Sequence, residues 1–419
     1  MSQTFSNANG TSVNQGIGNS TSSLNNPLAP GYANRPRLRV LSNNAPIPGA
    51  LAARIESNNH FQADRFTLSF VPALNGATGT LNWWSGQKLI PVDIQLGLLP
   101  LGAQPNQPPT WTSLLTGVAD KMTIEPGRNM VQIEGRDLTA NFIDNLNTGE
   151  FVNQSSSAIV QSLAQEYGMT AQVTNTNDTV GRYWADGRTI SKSHKDGKTT
   201  TEWDLIVSLA KKEGYDAFVQ GNVLYFQPPT PATATPYTWL YKFDAQGRQS
   251  GNVSSLKMDR TLTISKGMHV TVKSWSVKQA RAFTKTSSTS ASITGPFGNT
   301  AAQEYLIQHP NLTEDEAQTY ADTTAAELAS HELLISATMP GDTLLTPRTL
   351  VNLTGTGTVF DQLYYTTSIT REIDIRSGFV MHASCKAKAA EDAIEAFNNA
   401  QSAGAAAAVD GGVDAGPED

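Results

Sequence analysis

Leu363-Tyr-Tyr-Thr-Thr-Ser-Ile-Thr-Arg-Glu-Ile-Asp-Ile375 runs through Arg376-Ser377-Gly378 into Phe379-Val-Met-His-Ala-Ser-Cys-Lys386. In the first segment the odd positions read Leu, Tyr, Thr, Ile, Arg, Ile and Ile, and the even ones Tyr, Thr, Ser, Thr, Glu and Asp. Successive side chains leave a strand on opposite sides, so this period of two predicts a strand with one face on a core. The Arg-Ser-Gly step predicts a reversal. The returning strand then sets Phe379, Met381, Ala383 and Cys385 on one face and Val380, His382, Ser384 and Lys386 on the other. Cys385 is the single cysteine of the chain, which excludes an intramolecular disulfide framework and a Cys-rich zinc site. On the apolar face it reads as a small hydrophobe.

Working outward, the same short strand-like runs recur with Pro, Gly and Asn between them. Before the middle of the chain they are Leu38 to Leu41, Phe66 to Val71, Leu89 to Leu96, Trp111 to Thr123 and Met130 to Glu134. After a Thr/Pro linker at about 229–237 they resume at Trp239 to Phe243, Ser254 to Met258 and Met268 to Trp275. The polar stretch 280–298 reads as a long loop. Between the two β-rich parts lie two helices with clear punctuation. Ser155 or Ser156 caps a run with Ile159, Val160, Leu163, Ala164 and Tyr167 on one face, stopped by Gly168. Thr199-x-x-Glu202 reads as the capping box of the second, which buries Trp203, Ile206, Val207 and Ala210 and stops at Gly214. A hairpin with a Gly221-Asn222 turn follows. A last helix is expected from Thr313-x-x-Glu316, with Ala317, Tyr320, Ala321, Thr324 and Leu328 inward.

The fold class expected is thus β-rich α+β. An uncharged arm, 1–34, precedes a first β-barrel-like domain, 35–135, an α/β domain, 136–230, a second β-barrel-like domain with one helix, 231–388, and an Ala-rich acidic tail, 389–419. The arm is 22 of 34 Ser, Thr, Asn, Gln or Gly, too little apolar surface to offset the entropy of ordering it alone.

Composition agrees. The 419 residues suffice for two to four domains. Charged residues are 16% against a usual share of about 25%, and 33 Gly with 21 Pro imply many turns. A net charge of −7 argues against the whole chain acting as a cationic clamp on phosphates. With no basic segment leading an apolar run at the N-terminus, and no stretch near about 18 apolar residues, a soluble chain with neither export nor insertion signals is expected.

Chemistry is hard to find. No phosphate-binding glycine loop, nucleophile elbow or His-Glu-x-x-His helix occurs in the sequence. The six histidines, His60, His194, His269, His309, His331 and His382, lack ligand spacing. His331-Glu332 is adjacent, so the two cannot share a metal from one helix face. Thr354-Gly-Thr-Gly-Thr358 reads as a tight turn, since no lysine accompanies it to hold a phosphate. The loop Arg182 to Lys198 gathers Arg182, Arg188, Lys192, Lys195 and Lys198 beside Tyr183 and Trp184, either a nucleic-acid contact or a solvated connector. No carboxylate pair is singled out as a lytic site. Trp83-Trp84, placed on a strand, would expose at most one ring to a carbohydrate. No enzymatic activity, cofactor or metal is expected.

At Val131-Gln-Ile-Glu-Gly-Arg-Asp-Leu138 the sequence resembles the late-control protein D family, the baseplate hub proteins of tailed phages. The resemblance runs over about 35–388. It continues through the helix Ser156 to Gly168, Glu202-Trp-Asp-Leu-Ile-Val-Ser-Leu-Ala-Lys-Lys-Glu-Gly214, the hairpin Tyr215 to Pro228, and the Thr-x-x-Glu-Ala helix at Thr313. Gly341 with Leu344, Leu345 and Pro347, Val351-Asn-Leu-Thr-Gly355 and the hairpin from Gln362 to Lys386 complete it. The residues that carry it are Gly135, Arg136, Asp137, Trp203, Asp204, Leu205, Gly214, Ala317, Gly341, Pro347, Gly355 and Gly378, in a structural rather than catalytic role.

The resemblance implies a homotrimer whose two β-barrel-like domains per chain form a pseudo-sixfold ring. That ring joins a hexameric tail tube protein to a trimeric central spike protein in the virion baseplate and contacts tape-measure and baseplate wedge proteins. DNA passes its channel without specific binding. The alternatives are a hub with peptidoglycan-degrading activity, or the hub of a phage-derived particle such as a pyocin or secretion machine.

Overall fold

A computed structural model describes residues 23–25, 36–99 and 107–387, apart from 60, 147–148, 185–186, 192–193, 196–197, 200, 232, 245, 265–266, 277–280, 289–302, 309–311, 313 and 375. The tail 389–419 and most of the arm lie outside the described residues.

The first part forms β1 (Arg37–Ser42), β2 (Ala45–Pro46), β3 (Ala50–Asn58), β4 (Arg65–Phe70), a short helix α1 (Leu81–Ser85), β5 (Pro91–Leu98), β6 (Thr110–Glu125) and β7 (Met130–Asp137). The middle part forms α2 (Ala140–Asp144), β8 (Glu150–Val152), α3 (Ser156–Glu166), β9 (Thr170–Val173), β10 (Arg182–Trp184), β11 (Gly187–Ser191), β12 (His194–Lys195), β13 (Lys198–Thr199), α4 (Glu202–Glu213), β14 (Asp216–Gln220) and β15 (Val223–Gln227). The last part forms β16 (Tyr237–Phe243), β17 (Gln249–Gly251), β18 (Ser255–Arg260), β19 (Met268–Ser276), β20 (Arg281–Ser288), β21 (Gln303–Gln308), α5 (Glu314–Ala329), β22 (Leu333–Pro340), β23 (Leu350–Thr354), β24 (Leu363–Asp374) and β25 (Gly378–Ala387). The chain is a β-rich α+β protein.

The strands of the first part join β16–β18 and β22–β25 of the last part in one 14-stranded sheet, while β19, β20 and β21 form a sheet of their own. Its main path runs β17-β16-β23-β24-β3-β4-β7-β6-β5-β1-β2, while β25 leaves β24 toward β22 and β18. Strand β24, the stretch with the clearest alternation, is the seam. One edge pairs with β25 along its length; the other pairs first with β23 and then, from Ser368 to Ile373, with β3. A β-bulge falls between Thr366 and Ser368. A bulge adds one residue to a strand and so exchanges its inward and outward positions. Before it Tyr364 and Thr366 are buried; after it Ile369, Arg371 and Ile373 are. The simple odd-position pattern therefore holds only beyond the bulge, because Thr367 is the extra residue, held by its Oγ1 on the Ser384 carbonyl (2.8 Å) and by Asn59 N–H on its own carbonyl (2.9 Å).

Four cores result. Val40, Ile55, Leu68, Phe70, Trp84, Ile94 and Ile133 fill the first, joined by Ile373 from across the seam. Trp239, Tyr364, Ile369, Met381, Ala383 and Cys385 belong to the second. Helices α3 and α4 pack with β9, β14 and β15 around Leu163, Ile206, Leu209 and Phe226. A small satellite sets Ala317, Ala321 and Ala325 of α5 against Met268, Val270, Val272 and Phe283.

Several local expectations change. Trp83 and Trp84 lie in α1, capped by Thr80, because the Gly76-Ala-Thr-Gly-Thr80 approach ends in a hydroxyl able to accept the Trp83 amide (3.2 Å). Trp84 is buried, edge-on to Trp83 and tilted against Phe70. Ser155 is the cap of α3, accepting from Ala158 N–H (3.3 Å). The box of α4 is formed by Thr201 and Asp204, not by Thr199 and Glu202. Thr199 is spent in β13, and Glu202 turns inward to accept the Tyr167 hydroxyl (2.6 Å). Residues 281–288 of the expected loop pair with β19 as strand β20. The expected box at Thr313 and Glu316 lies outside the described residues. Among the described residues no helix is long and apolar enough to cross a membrane.

Candidate functional site

Where the three parts meet, the fold buries charge. Asp64, between β3 and β4, accepts the Asn58 amide (3.0 Å), and its carbonyl takes the Asp137 amide (2.9 Å). Asp137 ends β7, and its carboxyl accepts from the amide (3.2 Å) and hydroxyl (3.0 Å) of Thr139. Arg348, between β22 and β23, faces Asp64, Asp216 of β14 and Asp137, and lies over the Phe218 ring at 3.5 Å. Arg371 of β24 is buried and donates to the carbonyls of Asp342 and Leu345. Asp342 in turn accepts the Tyr237 hydroxyl and the amides of Leu344 (3.0 Å) and Leu345 (3.2 Å).

The electrostatics follow from removing these groups from water. Burial, then the charge of Asp64, pushes the Asp137 carboxyl up to about 8. Burial likewise raises Asp64, against the hydrogen bonds from Asn58 and Ser57 and the charges of Arg348 and Arg371. Asp216 is raised by burial and drawn back by Arg348. Both guanidinium groups are lowered by burial, with the carboxylates opposing. The arrangement fixes the three parts against one another. Among the described residues no group of three His, Cys, Asp or Glu side chains is placed to hold a metal.

The signature residues fall around this seam and at the turns. A Cβ at Gly135 would stand 2.2 Å from the Val118 carbonyl oxygen and 2.5 Å from the Phe66 ring. Its neighbour Arg136 reaches Asp120 (2.7 and 2.9 Å), at a bulge in β6, and Asp144 of α2 (3.0 and 2.7 Å). Trp203 is buried and donates its indole N–H to the Phe61 carbonyl (2.6 Å), tying α4 to the first part; Leu205 packs beside it in the same core. Asp204 closes the α4 cap through Thr201 N–H (2.9 Å), and Gly214 ends the helix at φ +68°. Ala317 faces the satellite core, and Pro347 is buried beside Arg348 in the chain. Gly341 lies against the Phe379 ring, which leaves 2.5 Å for a Cβ. Gly355 and Gly378 adopt φ of +95° and +75° at turns. Arg136, Asp137 and Trp203 thus serve contacts between parts, whereas Gly135, Ala317, Gly355 and Gly378 serve packing and turns within one part.

Other sequence candidates separate. The His331 ring meets the Glu327 carbonyl (2.9 Å), while Glu332 pairs with Arg260 (2.9 Å). In the Thr354–Thr358 loop the amides of Thr356 and Gly357 are taken by the Asp361 carboxylate (3.1 and 2.8 Å), so an internal anion fills the turn. Cys385 is 2% exposed and burial pushes its thiol up to about 12. The side chains of Arg182, Arg188, Lys192, Lys195 and Lys198 lie outside the described residues.

Asp64, Asp216, Asp342 and Arg348 carry no mark in the sequence, since loop and strand-end residues follow no period that reports burial. Arg371 does carry one, as the single charge in the apolar row of β24. The surface also keeps large apolar groups exposed, among them Leu74 at 89%, Leu89, Phe243, Leu262, Trp275 and Leu306.

A β-rich α+β chain of this kind is similar in fold to solved phage tail proteins. It superposes on the tail protein from Neisseria meningitidis MC58 with a TM-score of 0.60 at 13% identity, covering 84% of this chain and 97% of that one. The 43 kDa tail protein of prophage MuSo2 from Shewanella oneidensis gives 0.60 at 15% identity, covering 85% and 99%. A lidless PdpA-VgrG complex gives 0.50 at 8%, covering 84% and 65%. The chain belongs to the family of the Alg8 N-terminal domain, Alg8_N, whose model matches residues 116–374. That family bears a different name from the late-control protein D family suggested by the sequence. No curated protein matches the chain.

Proposed function

We propose that the protein is a structural component of a phage tail, and within it the baseplate hub in the manner of late-control protein D. Three chains, each contributing its two β-rich parts, form a pseudo-sixfold ring that adapts the hexameric tail tube to the trimeric central spike. Tape-measure and wedge proteins are its further partners. DNA passes through the ring without specific binding, for which an overall charge of −7 is suited, because each added cation would hold phosphate by counterion release. The role is structural and not enzymatic.

The observation that carries this reading is the likeness of fold to two tail proteins across 97% and 99% of their lengths. The seam supports it, because an adaptor that transmits geometry between two partners needs its two β-parts held in fixed relation. Light scattering on the purified chain, alone and with tube and spike proteins, tests it. A trimer that binds both is expected; a chain that stays monomeric and binds neither partner overturns the reading. The VgrG likeness favours, as a second reading, the same hub role in a phage-derived secretion particle. Clearing of a peptidoglycan zymogram by the pure protein would instead point to a lytic hub.

A further inference from the structure

Strand β16 sits one step from an end of the large sheet, and its two edges are used differently. Along Tyr237 to Leu240 one edge pairs with β23 in parallel, and from Tyr241 to Phe243 the other edge pairs with β17. This leaves the second edge over residues 236–240 without a strand. An uncovered edge of this kind accepts an added strand. Here its backbone groups are met one by one. Leu24 donates its amide to the Pro236 carbonyl (3.0 Å). The Asn25 side chain accepts from Thr238 N–H (2.8 Å) and donates to the Thr238 carbonyl (3.0 Å). Asn252 does the same for Leu240 N–H (2.8 Å) and the Thr238 carbonyl (2.8 Å). Ser23 adds a hydroxyl contact to Thr238 Oγ1 (2.8 Å). Residues 23–25 are thus a three-residue polar clip on the edge, belonging to the arm that precedes β1.

We propose that this edge of β16 is an interface between copies of the chain, and that in the assembled ring residues 23–25 of one copy clip onto β16 of the next. The proposal rests on the trimeric reading above. The clip contributes no core residue; it is held by hydrogen bonds alone and leaves Leu24 44% exposed, an apolar group that a neighbouring copy can cover. Ten residues, 26–35, separate it from Pro36, and eleven such steps extend to about 40 Å. The path along the sheet within one chain is shorter. Strand β1 also packs beside β3, and from β3 through β24 and β23 to β16 is three strand spacings, about 14 Å. The tether is thus longer than this lateral spacing, so its length does not confine the clip to its own chain. Because cis and trans seatings make the same bonds, exchange costs little, as in other swapped segments. The first 34 residues hold no charged side chain, so lying between subunits strands no side-chain ion away from water.

Ser23→Cys and Thr238→Cys test it, since their hydroxyls touch and the one native thiol, Cys385, is buried. Trimers assembled from an equal mixture of S23C chains and T238C chains should give a reducible two-chain product under mild oxidation. Trimers of the double variant should give products of two and three linked chains. Trimers whose mixed variants stay unlinked, while the double variant closes only within single chains, overturn the exchange and leave the hub reading standing. A double variant that closes nowhere overturns the clip itself. A chain that forms no trimer under any of the partner conditions overturns the hub reading, and the exchange with it.

Discussion

Asp137 sits beside Asp64 where water does not reach, and its carboxyl is pushed up to about 8 from 3.8. A carboxyl raised on folding binds its proton in the folded chain while the unfolded chain has already released it, so stability falls as pH rises between those two values. One proton corresponds to about 1.4 kcal/mol per pH unit at most. Asp137→Asn keeps a carbonyl for the Thr139 amide and removes the titration. Urea unfolding at pH 5 and pH 8 should therefore show the native chain losing stability toward pH 8, and the variant losing distinctly less. An unchanged difference between the two pH values would contradict the assignment. Two residues earlier, Gly135 is set by space instead of charge. Gly135→Ala places a methyl into the Val118 carbonyl and the Phe66 ring, and should cost at least about 1–3 kcal/mol in the same assay. Both residues were visible in the sequence as part of the Gly-Arg-Asp step, but their reasons were not. A glycine that must admit a neighbouring strand and a carboxyl that must be buried look alike until the strand pairing is known.

At the scale of elements, periodicity and punctuation carried most of the information. Helices α3 and α4, the β14–β15 hairpin and the β24–β25 hairpin stand where period and glycine stops put them, because these signals are local. The errors have local causes too. The α4 box moved by two residues because Thr201 and Asp204 satisfy the same spacing as Thr199 and Glu202, and only burial of Glu202 separates them. Thr201→Ala should lower stability by about 1 kcal/mol, within the usual 0.5–2 for a lost cap, and Thr199→Ala by much less. Equal losses in thermal unfolding would restore the earlier box. Strand β20 was hidden because Ser and Thr serve loops and exposed strand faces alike, and its partner β19 supplied the pairing. The bulge in β24 was hidden for a different reason. A shift of phase within a strand is readable only when the apolar set changes sides sharply, and Tyr364, Thr366 and Thr367 are too alike in polarity to report it.

For the whole molecule, what the sequence could not reveal is that its two β-rich parts share one sheet. The pairing of β24 with β3 joins residues such as Thr370 and Glu56, more than 300 positions apart, and alternation specifies a face but never a partner. The buried charges at that seam make the joint specific. Arg348 faces carboxylates of both other parts at once, Asp64 and Asp137 from the first and Asp216 from the middle, while itself belonging to the last. Asp64, Asp216 and Arg348 are half-buried, so removing the guanidinium costs less than the loss of one member of a fully buried ion pair. Arg348→Met should therefore destabilise by about 1–3 kcal/mol, with the lost contact over Phe218 included. The form of the loss matters more than its size. If the seam holds the parts in register, the variant should open between them before any core melts, so limited proteolysis should cut first near 228–236, with the first and middle parts parting from the last. Adding Asp64→Asn removes one stranded charge, and should recover part of the lost stability without restoring protection of 228–236. A variant that loses stability uniformly, with cuts no different from the native pattern, would show the cluster to be ordinary core, and the fixed relation of the parts would then rest on the β24–β3 pairing alone.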